Sequence, residues 1–210
     1  VSRIIVFGAG GRAGRRVVAE ARSRGHQVTA VVRDPHPNPD PAGADVRSGD
    51  VTSADSVAAL AAGHDVAISV AARLDIGSAE FYTAAAHALV DGLGRAGVRR
   101  LLALGIGTML ETAPGVRVLD APEFPAEARE FSLGHVAELE LLRGAGEGLD
   151  WVMFAPPPIV LDETAERTGR YRIGGTSVLA ADAFSYADLA VALVDEAERP
   201  RHSRELVAVG

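Results

Sequence analysis

No cysteine and no lysine occur in the 210 residues, so all 21 basic side chains are arginine. Without cysteine there is no disulfide, no thiolate nucleophile and no cysteine-ligated zinc. Without lysine there is no Schiff base, no phosphate-loop lysine and no tyrosine–lysine proton relay. No apolar run approaches the ~18 residues of a membrane span. No charged-then-apolar leader opens the chain, so a cytoplasmic location is expected. Positive charge is also in deficit. The net charge of −7 argues against a basic groove for nucleic acid, whose binding is mainly electrostatic. What remains is ordinary globular composition, 48% apolar and 23% charged. The length suits one domain over residues 1–210, with a core that hides roughly 70% of the unfolded surface.

The first half alternates short β-branched runs with Ala-rich helical patterns. Strands are expected over 3–7, 27–32, 45–47, 65–70 and 100–104, and helices over 11–24, 53–62 and 79–96. Ser53 is placed as an N-cap. Apolar strands separated by helices predict a doubly wound α/β sheet of Rossmann type, covered on both faces. Residues 106–125 read as a loop, broken by Pro114, Pro122 and Pro125. A helix is expected over 126–143, with Val136, Leu139 and Leu142 as its apolar stripe and Gly134 weakening its first half. A sixth strand over 149–154 ends at Pro156-Pro157-Pro158. Residues 171–178 read as a hairpin turning at Gly174-Gly175, followed by a helix over 185–197 and a strand over 205–209. Residues 106–125 and 155–185 would form the substrate-side loops, as a small C-terminal lobe. Pro35, Pro37, Pro39 and Pro41 alternate, which predicts a stiff surface excursion.

Gly8-Ala9-Gly10-Gly11-Arg12-Ala13-Gly14 directly follows the first strand and opens a helix. That is the context a dinucleotide-binding turn requires: glycines let the backbone approach a pyrophosphate, and the free N–H groups of the helix start bind it. Two registers fit, Gly8-Gly10-Ala13 and Gly8-Gly11-Gly14. At the end of the second strand stand Arg33 and Asp34. An Asp there accepts from the 2′-OH of NAD, whereas an Arg suits the 2′-phosphate of NADP. Arg33 comes first and Arg12 can reach the same phosphate, so NADP(H) is expected over NAD(H); as plain surface charges the two arginines would give no such preference. Asp50-Val51 follows the third strand, either at an adenine amine or as a simple turn. Ala71 and Ala72 are small enough to let a cofactor cross the sheet edge.

These residues make the chain similar to the atypical, NAD(P)H-binding branch of the short-chain dehydrogenase/reductases. It resembles the NmrA-like and NADH-flavin reductase proteins and the flavin reductase/biliverdin reductase B type, over nearly its whole length. The segments that carry the likeness include Gly8 to Gly14, Gly25 to Pro35, Ser48 to Val51, Gly105 to Thr108, Ala155 to Pro157, Glu166 to Arg172 and Tyr186 to Asp188. There are departures. Gly10 replaces the usual Thr of the glycine loop, and the Tyr-x-x-x-Lys pair cannot exist. Tyr82, followed four residues later by Ala86, reads as a packed aromatic.

The resemblance implies an NADPH-dependent reductase of FMN, FAD, riboflavin or another planar conjugated acceptor. A non-catalytic NADP(H) sensor, or a specialised-pathway reductase or isomerase of the same fold, stays open. Thr108 would hydrogen-bond the nicotinamide amide or a substrate oxygen, and a turn Thr is its other reading. His135 would face the cofactor or substrate, where an imidazole can donate a proton; packing is the alternative. Pro156 and Pro157 would back the nicotinamide, with Ile159 and Val160 as an apolar wall. His26, His36, His64, His87 and His202 show no metal spacing and read as turn or surface groups, and Glu138 and Glu140 as solvated helix face. A small-molecule acceptor is therefore the expected partner, without metal, nucleic acid or membrane; a monomer and a homodimer are both open.

Overall fold

Ile4, Ile5, Val6 and Phe7 are fully buried in β1 (Arg3–Phe7), because this strand lies inside a sheet with helices on both faces. The structure is a computed structural model that describes residues 1–34 and 43–210; the alternating prolines and His36 lie outside the described residues. From β1 the chain runs through α1 (Arg12–Ser23), β2 (Gln27–Val32), β3 (Asp45–Ser48), α2 (Ala54–Ala61), β4 (Val66–Ser69), α3 (Ser78–Ala96) and β5 (Arg100–Leu104). It continues through β6 (Glu111–Ala113), β7 (Val116–Arg117), α4 (Ala126–Arg143), β8 (Asp150–Ala155), β9 (Ile173–Gly174), α5 (Tyr186–Glu198) and β10 (Glu205–Val209). The large sheet has the order β3-β2-β1-β4-β5-β8-β10-β9 and is parallel except for β9. Winding reverses between β1 and β4, and a crevice opens at their carboxyl ends, where open α/β sheets bind ligands. The fold is a Rossmann-type doubly wound α/β sheet.

One face is covered by α1 and α5, whose Val17, Val18, Leu189 and Leu193 pack on Ile4, Val6 and Ile68. The other is covered by α2, α3 and α4, with Val57, Leu89, Leu93 and Leu142 against Ile5, Phe7 and Leu101. Ser53 and Ser185 cap α2 and α5, each accepting from a backbone N–H three residues on. No helix among the described residues is long and apolar enough to cross a membrane.

Local pattern misjudges two segments. Residues 106–125 are not a plain loop: β6 and β7 form a small antiparallel hairpin around Gly115, flanked by single 3₁₀ turns. Residues 171–178 do not fold on themselves. Instead β9 pairs antiparallel with β10, Ala208 opposite Gly174, because β10 would otherwise leave its edge unpaired. The two segments meet on the carboxyl rim, where Glu111 N–H donates to Thr176 O and Val178 N–H to Glu111 O.

Gly134 does not break α4. It lets α3 approach: a Cβ at that position would lie 2.1 Å from Ser78 Oγ and 2.6 Å from Ser78 carbonyl carbon, while Ser78 Oγ donates to Phe131 O. Across the other face, the Arg24 guanidinium joins α1 to α5, meeting Glu20 at 2.7 Å, Asp195 at 2.5 Å and Glu198 at 3.0 Å. Arg167 adds a two-pronged contact to Glu20. His26 is not a surface group; it is buried and bridges Ser2 N–H and Glu198.

Two predictions follow from this packing. Gly134→Ala forces α3 and α4 apart, at a cost of about 1–3 kcal/mol, read as a melting temperature several degrees lower. The second concerns acid. Burial alone pushes the Glu20, Asp195 and Glu198 carboxyls up, but their bonds to Arg167, Tyr171, His26 and Arg24 hold all three below the usual carboxylate range. Folded values below unfolded ones stabilise fully above that range, and the gain fades as pH falls through it. Melts of Arg24→Gln should therefore show a lower midpoint near neutral pH and a shallower decline on acidification than wild type.

Candidate functional site

Gly8 carries the turn that starts the site. Its φ of +80° suits glycine, and a Cβ there would lie 2.5 Å from Ala71 Cα. The exits of β1 and β4 thus touch backbone to backbone. Gly14 does the same for the helix, since its Cβ would fall 2.1 Å from Gly8 O. α1 starts directly against the strand end, with Gly11 as an N-cap that offers no side chain. The main-chain N–H groups of Gly10, Arg12 and Ala13 find no partner among the described residues. Free N–H groups at a helix start, with the positive end of the helix dipole behind them, favour an anion.

A cavity of about 430 Å³ opens above this turn. It brings together Gly8, Gly10, Gly11, Arg12, Ala13, Arg33, Asp50, Val51, Ala71 and Ala72. Phe7, Val31, Val51 and Val70 give it apolar walls, on which a flat base can lie. Three guanidiniums line it. The Arg33 guanidinium makes no hydrogen bond or ion pair among the described residues, while its main-chain oxygen accepts from the Ser48 hydroxyl; Arg73 is clasped by Asp75, and Arg12 meets Glu163 at 2.6 Å. Asp50 accepts from the Thr52 hydroxyl at 2.7 Å and Thr52 N–H at 2.9 Å through one carboxylate oxygen. The Thr52 hydroxyl holds this carboxyl below its ordinary value, with Arg73 and Arg33 adding to the effect. Helix-start amides, arginines and apolar walls in one cavity fit a diphosphate-linked dinucleotide.

Other expected site residues lie elsewhere. Gly14 sits beneath the cavity, and Thr108, His135, Pro156 and Pro157 lie outside its lining. Thr108 Oγ1 is 2.7 Å from Ser132 Oγ, whose own proton goes to Ala128 O. Thr108 therefore donates to Ser132 and keeps its lone pairs. Gly107 adjoins Pro156 and Pro157 so closely that a Cβ would lie 2.3 Å from Pro156 O, so the exits of β5 and β8 meet there. Ile159 and Val160 are exposed, and Val160 is 94% accessible.

His135 is buried between α3 and α4. Its ring centroid lies 3.8 Å from that of Tyr82, the two planes tilted by 35°, and its Nδ1 is 3.1 Å from Glu138 Oε2. Glu138 is thus not on the solvated face of α4, whereas Glu140 is, paired with Arg143. Burial first, and Glu138 second, push the Tyr82 hydroxyl well above its ordinary value. Sequence reasoning did not find Arg73, Phe81 or Tyr186 in the cavity. Arg73 follows β4 by four residues, a position that could have drawn notice; no local pattern ties Tyr186, far along the chain, to α1.

Residues 8–200 match the family described as NAD(P)H-binding. "Uncharacterized protein YwnB" of Bacillus subtilis is 31% identical over 99% of this chain and 97% of its own. A "putative exported protein" from Burkholderia pseudomallei superposes with a TM-score of 0.88 at 34% identity, covering all of both chains. A "putative NADH-flavin reductase" from Streptococcus pneumoniae superposes with a TM-score of 0.85 at 28% identity, over 100% of this chain and 99% of that one. With a glycine turn, free helix-start amides and an apolar slot in one crevice, and a match across residues 8–200, the chain belongs to the NAD(P)H-binding family.

Proposed function

We propose that the protein is an NADPH-dependent oxidoreductase that delivers a hydride to a flavin or another planar conjugated acceptor. The observation that carries the cofactor preference is the Arg33 guanidinium on the cavity wall, unpaired among the described residues, with Arg73 also in the lining and Asp50 turned toward Thr52. A single 2′-phosphate placed there would meet a cation that has no hydrogen bond or ion pair to give up among the described residues. The likeness to the Streptococcus pneumoniae protein supports the acceptor class.

Bound NADPH supplies the hydride, and the chain supplies orientation. Thr108 Oγ1, its proton committed to Ser132, can accept from the carboxamide N–H₂ of the nicotinamide. Pro156 and Pro157, packed on Gly107, form a rigid backing at the same strand exits. His135 is oriented by donating Nδ1–H to Glu138, which leaves Nε2 as the ring nitrogen able to accept a hydrogen bond from a ligand. Hydride transfer between stacked rings needs alignment and exclusion of water more than a strong acid, so few side chains need to act. The proposal implies a cytoplasmic nicotinamide pool. A second reading, a non-catalytic NADP(H) sensor, draws on the internal bonding of both Thr108 and His135.

Calorimetry with NADPH and NADH tests the cofactor. Wild type should favour NADPH, and Arg33→Ala should lose about ten- to a hundredfold in NADPH affinity, the worth of one charge-assisted hydrogen bond, with NADH unchanged. Equal wild-type affinities would overturn the preference. NADPH consumption with FMN, FAD, riboflavin or a quinone tests the acceptor. Turnover should persist in Thr108→Ala and His135→Ala at a reduced rate; tight NADPH binding with no turnover on any acceptor selects the sensor.

A further inference from the structure

Glu163 stands in the connection between β8 and β9, yet its carboxylate reaches the first residue of α1. Oε1 lies 2.6 Å from Arg12 Nε, and Arg16, one turn along, donates to the Glu163 main-chain oxygen. Glu163 is held there by a fixed frame. Immediately before it, Asp162 N–H donates to Phe184 O and Tyr186 N–H to Asp162 O, while the Asp162 carboxylate accepts from Thr164 and Ala165. A few residues later Arg167 is locked on Glu20, and the N–H groups of Thr168 and Gly169 on Asp188. A carboxylate carried by a segment tied down on both sides is placed by the fold, unlike a freely swinging surface side chain.

Its position matters because Arg12 lines the cavity and its N–H is one of the free donors of the helix start. Arg33 and Arg73 act on Asp50, whereas Arg12 is turned toward Glu163. The protein's own chain thus presents an anion to the guanidinium of the residue that opens the helix and lines the cavity.

We propose that Glu163 is an internal competitor for the ligand's diphosphate. It withholds Arg12 from the shared diphosphate and so sets the affinity of the site for dinucleotides in general, leaving the choice between them to Arg33. This rests on the dinucleotide reading of the cavity. A phosphate that enters must displace the carboxylate from Arg12, and the repulsion between the two anions weakens binding further. The pair is exposed, so its influence is modest.

Glu163→Gln keeps the shape and removes the charge. By calorimetry it should bind NADPH and NADH each about fivefold more tightly than wild type, the ceiling set by an exposed ion pair, and by the same factor for both. In an Arg12→Gln background the Glu163→Gln gain should shrink toward none. Unchanged or weaker binding of both dinucleotides by Glu163→Gln overturns the proposal, as does a gain that persists without Arg12. Inorganic pyrophosphate, titrated into wild type and Glu163→Gln, gives an independent readout. If neither dinucleotide binds wild type, the dinucleotide reading fails, and a pyrophosphate affinity that does not rise in Glu163→Gln then rejects the competitor as well.

Discussion

The backbone contact between Gly8 and Ala71 is the constraint on which the site depends. Because Gly8 has no Cβ and adopts a left-handed turn, β1 ends flush against β4 and the chain swings at once into α1. Any side chain at Gly8 would push the two strand exits apart, and at Gly14 it would lift the helix off the turn. Either shift would move the free N–H groups of Gly10, Arg12 and Ala13 away from the crevice. The flanking layers hold this geometry. α1 is tied to α5 through Arg24, and α3 and α4 close together at Gly134, so the rim is supported from both faces of the sheet.

The acidic chain builds its cationic site by placement. With a net charge of −7 there is no general attraction for a nucleotide, yet three arginines converge on one cavity. Two of them are matched by carboxylates of the same chain, Asp75 and Glu163, which keeps the local field moderate. The same habit recurs in the frame. Arg24 serves three carboxylates, and Arg100 joins Glu196 at 2.5 Å and Asp150 at 2.7 Å. A planar guanidinium with five donors can satisfy several acceptors at once.

How much could be read from the sequence follows the range of the interactions involved. β1 and β5 announce themselves through continuous apolar runs, β2 through its β-branched residues, and the glycine turn through its place between strand and helix. The sequence also marks Arg33, Asp50 and the small residues Ala71 and Ala72, because each follows directly on a strand. β9 is hidden because two residues carry no periodicity, and its partner lies more than thirty positions along. Glu138 reads as solvent-facing, since helical spacing cannot reveal that His135 turns inward and takes it along. Tyr186 and Glu163 belong to the far end of the chain and reach α1 only through tertiary folding. Gly134 looks like a helix breaker in one dimension and is a helix–helix contact in three.

The lack of lysine has one more effect on the cavity. An ammonium group gives up its proton at a pH of about 10.4, whereas a guanidinium keeps its charge beyond 12. Arg12, Arg33 and Arg73 are the guanidiniums of the lining among the described residues, so their charge persists in alkaline surroundings that would neutralise lysines in their place. Grip on a phosphate is then limited at high pH by the stability of the fold, and not by the protonation of the hands that hold it.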